Sequence, residues 1–277
     1  MLFRSLDPAK VTILTPGVNA QGAVDDWGIP AAILTEFLDG RRVEIARTGD
    51  YTVLVLFSVG TSKGKWGALL ENLFEFKRLY DGEASLEEAL PELVSKYPAR
   101  YRNQTLKELS DEMHQAMKDM DLAGLVNAAC DEDFDPVLTP SQTYQKLLTN
   151  STEKVKFEEM AGRIAAVMLV PYPPGIPMSM PGERLGGPDS PVIRLILAME
   201  KFGKQFPGFE RETHGIEIDE HGEYWMRAVI ETPNAKKNGR GKQHPPSSAP
   251  PVKRKKKALP GDAEPPVPGT TKIAPER

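Results

Sequence analysis

Trp66, Leu69, Leu70, Leu73, Phe76 and Tyr80 recur at three- and four-residue spacing within "KWGALLENLFEFKRLY", which predicts a helix with one apolar face. A second stripe, Leu106, Leu109, Met113, Met117 and Met120, predicts another helix whose Met-rich side packs in a core. Ser85 with Glu88, and Thr105 with Glu108, have the spacing of capping boxes, in which hydroxyl and carboxylate satisfy free backbone N–H groups at a helix start. "GIPAAILTEFL", "DLAGLVNAAC", "LTPSQTYQKLL" and "SPVIRLILAMEKFGKQF" supply further helices. Between them, "KVTIL", "RRVEIA", "YTVLVLFS", "KVKF" and "RIAAVMLV" read as strands, and "GIEID" and "YWMRAVIE" as a hairpin across "EHGE". "VLVLF" is apolar on both faces, so it is expected to be a central strand covered by helices on each side.

The order of these elements divides the chain into three. Residues 1–84 alternate strand and helix as an α/β layer, residues 85–232 form a mixed α+β unit, and residues 233–277 carry almost no large apolar side chain. That last segment holds ten of the 25 prolines and 11 basic against 3 acidic residues, so the net −4 of the whole chain hides an acidic body and a basic tail. The tail buries too little to offset its chain entropy and is expected to be disordered. Its "KRKKK" run suits anionic surfaces, but without interleaved aromatics it is read as a solubilising extension and not as a nucleic-acid binder.

Composition narrows the chemistry. No run reaches the roughly 20 apolar residues of a membrane helix, and Pro and Asp come too early for a signal peptide, so a cytoplasmic location is expected. The single Cys130 excludes an internal disulfide and a Cys-rich zinc site; it is expected to be a packing residue of its helix. His114, His214, His221 and His244 have no metal-ligand partner at helical or hairpin spacing, so no metal site is expected. "GTSKGKWG", residues 60–67, lacks the spacing of a phosphate loop and has Trp where Ser or Thr would bind magnesium. It is either a plain loop or a set of backbone amides open to an anion.

Two stretches invite ligand contact. "LVPYPPGIPMSMPGER", residues 169–184, packs five prolines and two glycines after an apolar run. Each Pro fixes φ and removes a donor, while Gly175 and Gly182 permit reversals that would turn Tyr172, Glu183 and Arg184 inward. Tyr172 is then either a rigid ligand platform or a tyrosine packed under a strand-to-helix connection. "DDWGIPAAIL", residues 25–34, sets two carboxylates and Trp27 before a helix start, where Asp25 and Asp26 serve either the helix dipole or a cationic ligand group.

Taken in order from about Leu6 to Glu231, "LDPAKVTILTPG", "GIPAAIL", "LFSVGTSKGKWGALLENLFEFKRLYD", "LPELV", "LSDEMH", "GRIAAVMLVPYPPGIPMSMPGER" and "FPGFERETHGIE" resemble the prokaryotic ornithine/lysine/arginine decarboxylases, pyridoxal-phosphate enzymes of fold type I. The resemblance covers only the C-terminal part of such enzymes. It implies that residues 1–84 are the C-terminal part of an aminotransferase-like small domain and 85–232 the family's C-terminal domain. It also implies a substrate pocket touched by Asp26, Trp27 and Tyr172, with Tyr172 reaching the site of a neighbouring subunit. Relatives can place glutamate immediately before the glycine of Gly-Ile-Pro-Ala, where this chain has Trp27 and an acid one position earlier.

The family holds pyridoxal phosphate on a lysine preceded by histidine, and no His-Lys dipeptide occurs here. The Schiff-base lysine is therefore expected to be absent, so no catalytic and no cofactor-binding residue is assigned, and the chain is expected neither to bind the cofactor covalently nor to act alone. A sheet built to pack against a larger domain leaves an apolar face, which implies self-association or a decarboxylase subunit carrying the cofactor domain. The alternative is a non-catalytic module that pairs with a decarboxylase or another partner.

Overall fold

The structure, a computed structural model, describes residues 9–19, 22–172 and 175–231, which belong to one compact unit. The prolines at 173 and 174 and the basic tail, with the disorder expected of it, lie outside the described residues.

The first segment builds a small sheet and two helices. Strand β1 (Lys10–Leu14) is followed by a strap whose described residues are 15–19 and 22–29, helix α1 (Ala31–Asp39), strands β2 (Arg47–Thr48) and β3 (Thr52–Leu56), and helix α2 (Lys63–Asp81). The expected strand over "RRVEIA" does not form: Arg42, in the left-handed region at φ 62°, breaks the extended run, and β2 begins only after it. The sheet order is β1-β3-β2 and its pairings are antiparallel, with Ile13 opposite Val53 and Val11 opposite Val55.

As expected, β3 is central, but it is covered on one face only. Val53 and Val55 are buried, whereas Leu14 and Leu56, on the opposite face, are 68% and 54% exposed. The helices lie against the first face, where Phe37 of α1 meets Phe76 of α2 edge-to-face at 5.1 Å. Of the stripe expected on α2, Leu69 and Phe76 are buried; Trp66 and Leu70 stand out with Phe74 as a second, exposed stripe.

Short helices α3 (Leu86–Ala89), α4 (Pro91–Lys96) and α5 (Pro98–Tyr101) lead into α6 (Leu106–Asp119) and α7 (Leu122–Cys130). Thr105 and Glu108 form the expected capping box at the start of α6, while Ser85 accepts from Glu88 N at 3.3 Å and Glu88 turns to Arg78 instead. Leu106, Leu109, Met113 and Met117 are buried as the stripe requires. Cys130 is exposed at the last turn of α7, against expectation, because Leu122, Leu125 and Ala129 take the buried side.

The remainder holds strand β4 (Asp135–Pro136), helix α8 (Pro140–Leu148), strands β5 (Thr152–Lys156), β6 (Val170–Pro171) and β7 (Glu183–Arg184), helix α9 (Pro191–Gln205), and strands β8 (Thr213–His214), β9 (Ile216–Ile218) and β10 (Tyr224–Val229). The hairpin is formed by β9 and β10, and β5 pairs on its other side. The expected strand over "RIAAVMLV" is not continuous. Ile164 bridges to Arg184, Ala165 to Ala228 and Leu169 to Ser179, and only Val170 enters a ladder, as the first residue of β6 opposite His214, so the run spends its backbone groups on four separate neighbours. Tyr101 closes α5 onto the end of α9 by donating to Pro207 O at 2.9 Å, and a continuous apolar core joins α1, β3 and α6 to α9 and β10.

The β9–β10 turn depends on Asp219, whose carboxylate accepts from His221 N, Glu223 N and Trp225 Nε1 at 2.9, 3.0 and 2.8 Å. These donors, Trp225 first, hold its pKa down from 3.8 to about 2. A depressed carboxyl pKa stabilises the fold above 3.8, and that contribution is lost as the pH falls through about 2. Thermal melts of wild type and Asp219→Asn should therefore differ at neutral pH and converge as the pH drops through that window.

Candidate functional site

The strap carrying Asp25, Asp26 and Trp27 is held by backbone bonds on both sides. Thr15 N donates to Tyr51 O at 2.9 Å, Asp25 N to Gly17 O at 2.9 Å, and Ile29 N to Pro16 O at 2.8 Å. The helix it precedes gains nothing from its acids: Pro30 caps α1, with no side-chain cap and no acid in the first turn. Of the two readings left open for this stretch, helix capping is thus removed. Asp26 is fully exposed, its Oδ1 3.5 Å from Lys118 Nζ, and Trp27 is 56% exposed beside it. Lys118 also donates to Asp25 O at 3.1 Å. A wet carboxylate this loosely paired remains available to a cationic group.

Tyr172 follows β6, where its N–H donates to Glu212 O at 2.8 Å and its ring tilts over His214 at 5.1 Å between centroids. Gly175, at φ +75°, lies under that ring; a Cβ there would come within 2.7 Å of Tyr172 Cε1. The side chain is neither packed beneath the loop nor free, at 42% exposure. Glu183 and Arg184 do not turn into a site. Glu183 accepts from Met180 N, and Arg184 pairs with Glu231 and Gly162 O, closing the end of β10.

Tyr172 lines a cleft of about 210 Å³ with Glu36, Asp50, Met113, Phe202 and Arg211. Asp26 and Trp27 are not part of its lining, so within one chain the three expected site residues are not gathered in this cleft. Arg211 sits 2.7 Å from Asp50 with side-chain exposures of 9% and 22%, its guanidinium 5.7 Å from the Phe202 ring centroid. Its Nη1 has no hydrogen-bond partner, and the N–H directions toward Asp50 miss hydrogen-bond alignment, so the pair is held by coulombic attraction. Burial, followed by the nearby Asp39 and Glu92, pushes the Glu36 carboxyl up. Arg211 and Asp50 were not singled out from sequence. They are 161 positions apart, and neither stretch carries a local sign of the other.

Two family models match the chain: "Orn/Lys/Arg decarboxylase, major domain" over residues 3–65 and "Orn/Lys/Arg decarboxylase, C-terminal domain" over residues 123–230. The chain belongs to this family. It is 41% identical to the constitutive lysine decarboxylase of Escherichia coli K12 over 224 residues, covering 81% of this chain and 31% of that protein. The biodegradative arginine decarboxylase of the same organism is 39% identical, covering 77% of this chain and 28% of the relative, and its constitutive ornithine decarboxylase is 33% identical, covering 76% and 30%. The solved structure of the E. coli constitutive lysine decarboxylase superposes with a TM-score of 0.77 at 41% identity, covering 81% of this chain and 32% of that one. That of the Francisella novicida lysine decarboxylase superposes at 0.75 and 37%, covering 81% and 31%. The chain therefore corresponds to the C-terminal part of these decarboxylases and spans about a third of their length. Among the described residues no helix is long and apolar enough to cross a membrane, and no group of side chains suits a metal ion.

The Arg211–Asp50 pair gives a direct check on the cleft. Removing one partner of a pair this buried should cost about 3 kcal/mol, because the other charge is left without compensation. Urea unfolding should show Asp50→Ala and Arg211→Met each destabilised, with the double variant recovering much of the loss.

Proposed function

We propose that this segment serves a pyridoxal-phosphate-dependent decarboxylase of basic amino acids, contributing substrate-pocket and subunit-interface side chains to a site whose cofactor lysine lies on another polypeptide segment. The observation that carries the reading is the 41% identity to a lysine decarboxylase over most of the chain, in the same fold. In this reading Asp26 meets the cationic end of the substrate, Trp27 shields that contact, and Tyr172 reaches across a subunit boundary, consistent with its place outside the Asp26 strap. The choice among lysine, arginine and ornithine turns on the carboxylate's reach, which is why Asp26, one position before Trp27, matters.

Pyridoxal phosphate supplies the electron sink for loss of the carboxylate when it is bound through a lysine. Several of the described lysines are already engaged by other groups. A cofactor lysine needs a lowered pKa, yet Lys96, Lys107 and Lys156, whose shifts are resolved, are all raised by acidic or phenolic partners. Lys118 is taken by Asp25 and Asp26, and Lys204 by Glu200 and Glu223. No step through the cofactor is assigned to this chain.

The uncovered sheet face supports the same reading. Leu14 and Leu56 on the sheet, and Trp66, Leu70 and Phe74 at four-residue spacing on α2, are all more than two-fifths exposed. We assign these apolar faces to contact with the cofactor-bearing remainder of the decarboxylase. The 1–84 and 85–232 division is read as the boundary between the aminotransferase-like portion and the C-terminal domain.

The purified chain, given pyridoxal phosphate and lysine, arginine or ornithine, should release no carbon dioxide. Mixed with a relative's cofactor-bearing portion it should restore release, and Leu14→Asp with Leu56→Asp should abolish that rescue. Turnover by the chain alone would overturn the proposal.

A further inference from the structure

His114 is the one histidine among those described that is buried, at 1% exposure on α6, and both of its ring nitrogens are engaged. Nε2 lies 3.1 Å from Asp25 O, and Nδ1 lies 2.8 Å from the Tyr51 hydroxyl. A backbone carbonyl only accepts, so Nε2 must carry the hydrogen. In the neutral ring Nδ1 is then an acceptor, and Tyr51 must donate to it. The opposite tautomer would set the Nε2 lone pair against the carbonyl oxygen. Burial and the adjacent Asp50 raise the Tyr51 pKa, which keeps the phenol protonated as this chain of donors requires.

The strap is shaped to this pair. A Cβ on Gly28 would fall 2.5 Å from His114 Nδ1, and one on Gly17 would fall 2.2 Å from Tyr51 Cε1, so two glycines let the backbone lie directly on the two rings. Lys118, one turn further along α6, gives the same Asp25 carbonyl a second donor at 3.1 Å and reaches Asp26 Oδ1 at 3.5 Å. We propose that His114, held in its Nε2–H tautomer by Tyr51, is a positioning residue for the Asp25–Trp27 segment, and so sets the direction in which the Asp26 carboxylate is presented to a cationic substrate. The last clause rests on the functional reading above; the positioning itself does not. It makes presentation of the strap depend on α6, 89 residues away in sequence and outside both family matches.

Nitrogen-15 histidine spectra of the full chain at mildly alkaline pH, with His114 assigned by its loss in His114→Gln, should show the Nε2–H tautomer. An Nδ1–H tautomer at this residue overturns the proposal, and since substituting His214, His221 and His244 in turn also assigns His114 by elimination, this readout stands even where His114→Gln fails to fold. Hydrogen exchange gives the second arm. In His114→Leu the Asp25 and Ile29 amides should exchange at least about tenfold faster, with the β9–β10 hairpin unchanged, while His114→Gln, which keeps a donor for Asp25 O, should restore part of the protection. Unchanged exchange in the strap, or equal loss with Leu and Gln, contradicts it. None of these measurements contains a substrate, so failure of Asp26 to bind lysine or arginine would strike the functional reading and leave the positioning intact.

Discussion

Helix α6 is the element on which the two family segments are joined. Its stripe of Leu106, Leu109, Met113 and Met117 is buried, and the residues beside that stripe reach in two directions. His114 and Lys118 take hold of the strap before α1. Met113 lines the cleft in which Phe202 of α9, Arg211 and Tyr172 meet. The β1–β3–β2 sheet is only three short strands with one covered face, and that face packs on α1. The capping box at Thr105 is what lets α6 start cleanly after the short turns of α3, α4 and α5.

Much of this was legible in the sequence where the signal is local. The Met-rich stripe, the Thr105–Glu108 box, the Pro-led starts of α8 and α9 and the β9–β10 hairpin each follow from residues within one or two turns of each other. The readings that needed correction depended on distant partners. "RIAAVMLV" has the composition of a strand, but its residues meet four different neighbours and only Val170 continues as a ladder, in β6. "VLVLF" is apolar on both faces, yet its second face is exposed, and composition does not distinguish an internal layer from an external one.

The candidate site divides the same way. Asp26, Trp27 and Tyr172 came from the resemblance; the structure shows the first two exposed on one strap and the third at the mouth of a separate cleft. The pairs near them, His114 with Tyr51 beneath the strap and Arg211 with Asp50 in the cleft that Tyr172 lines, were invisible because each pair is made by a fold and not by a spacing. A buried histidine with no metal partner is ordinarily a satisfied core residue. Here the satisfaction is itself informative, since both of its bonds end on the segment that carries the candidate carboxylate or on the tyrosine behind it.

The central claim is that the major-domain segment and the C-terminal domain share one core through α6 and unfold together. Urea unfolding of two single-tryptophan variants, one keeping only Trp27 in the strap and the other only Trp225 in the hairpin, tests it most directly. Coincident midpoints and slopes are expected. A Trp27 transition that is complete while the Trp225 signal is still native would contradict the shared core.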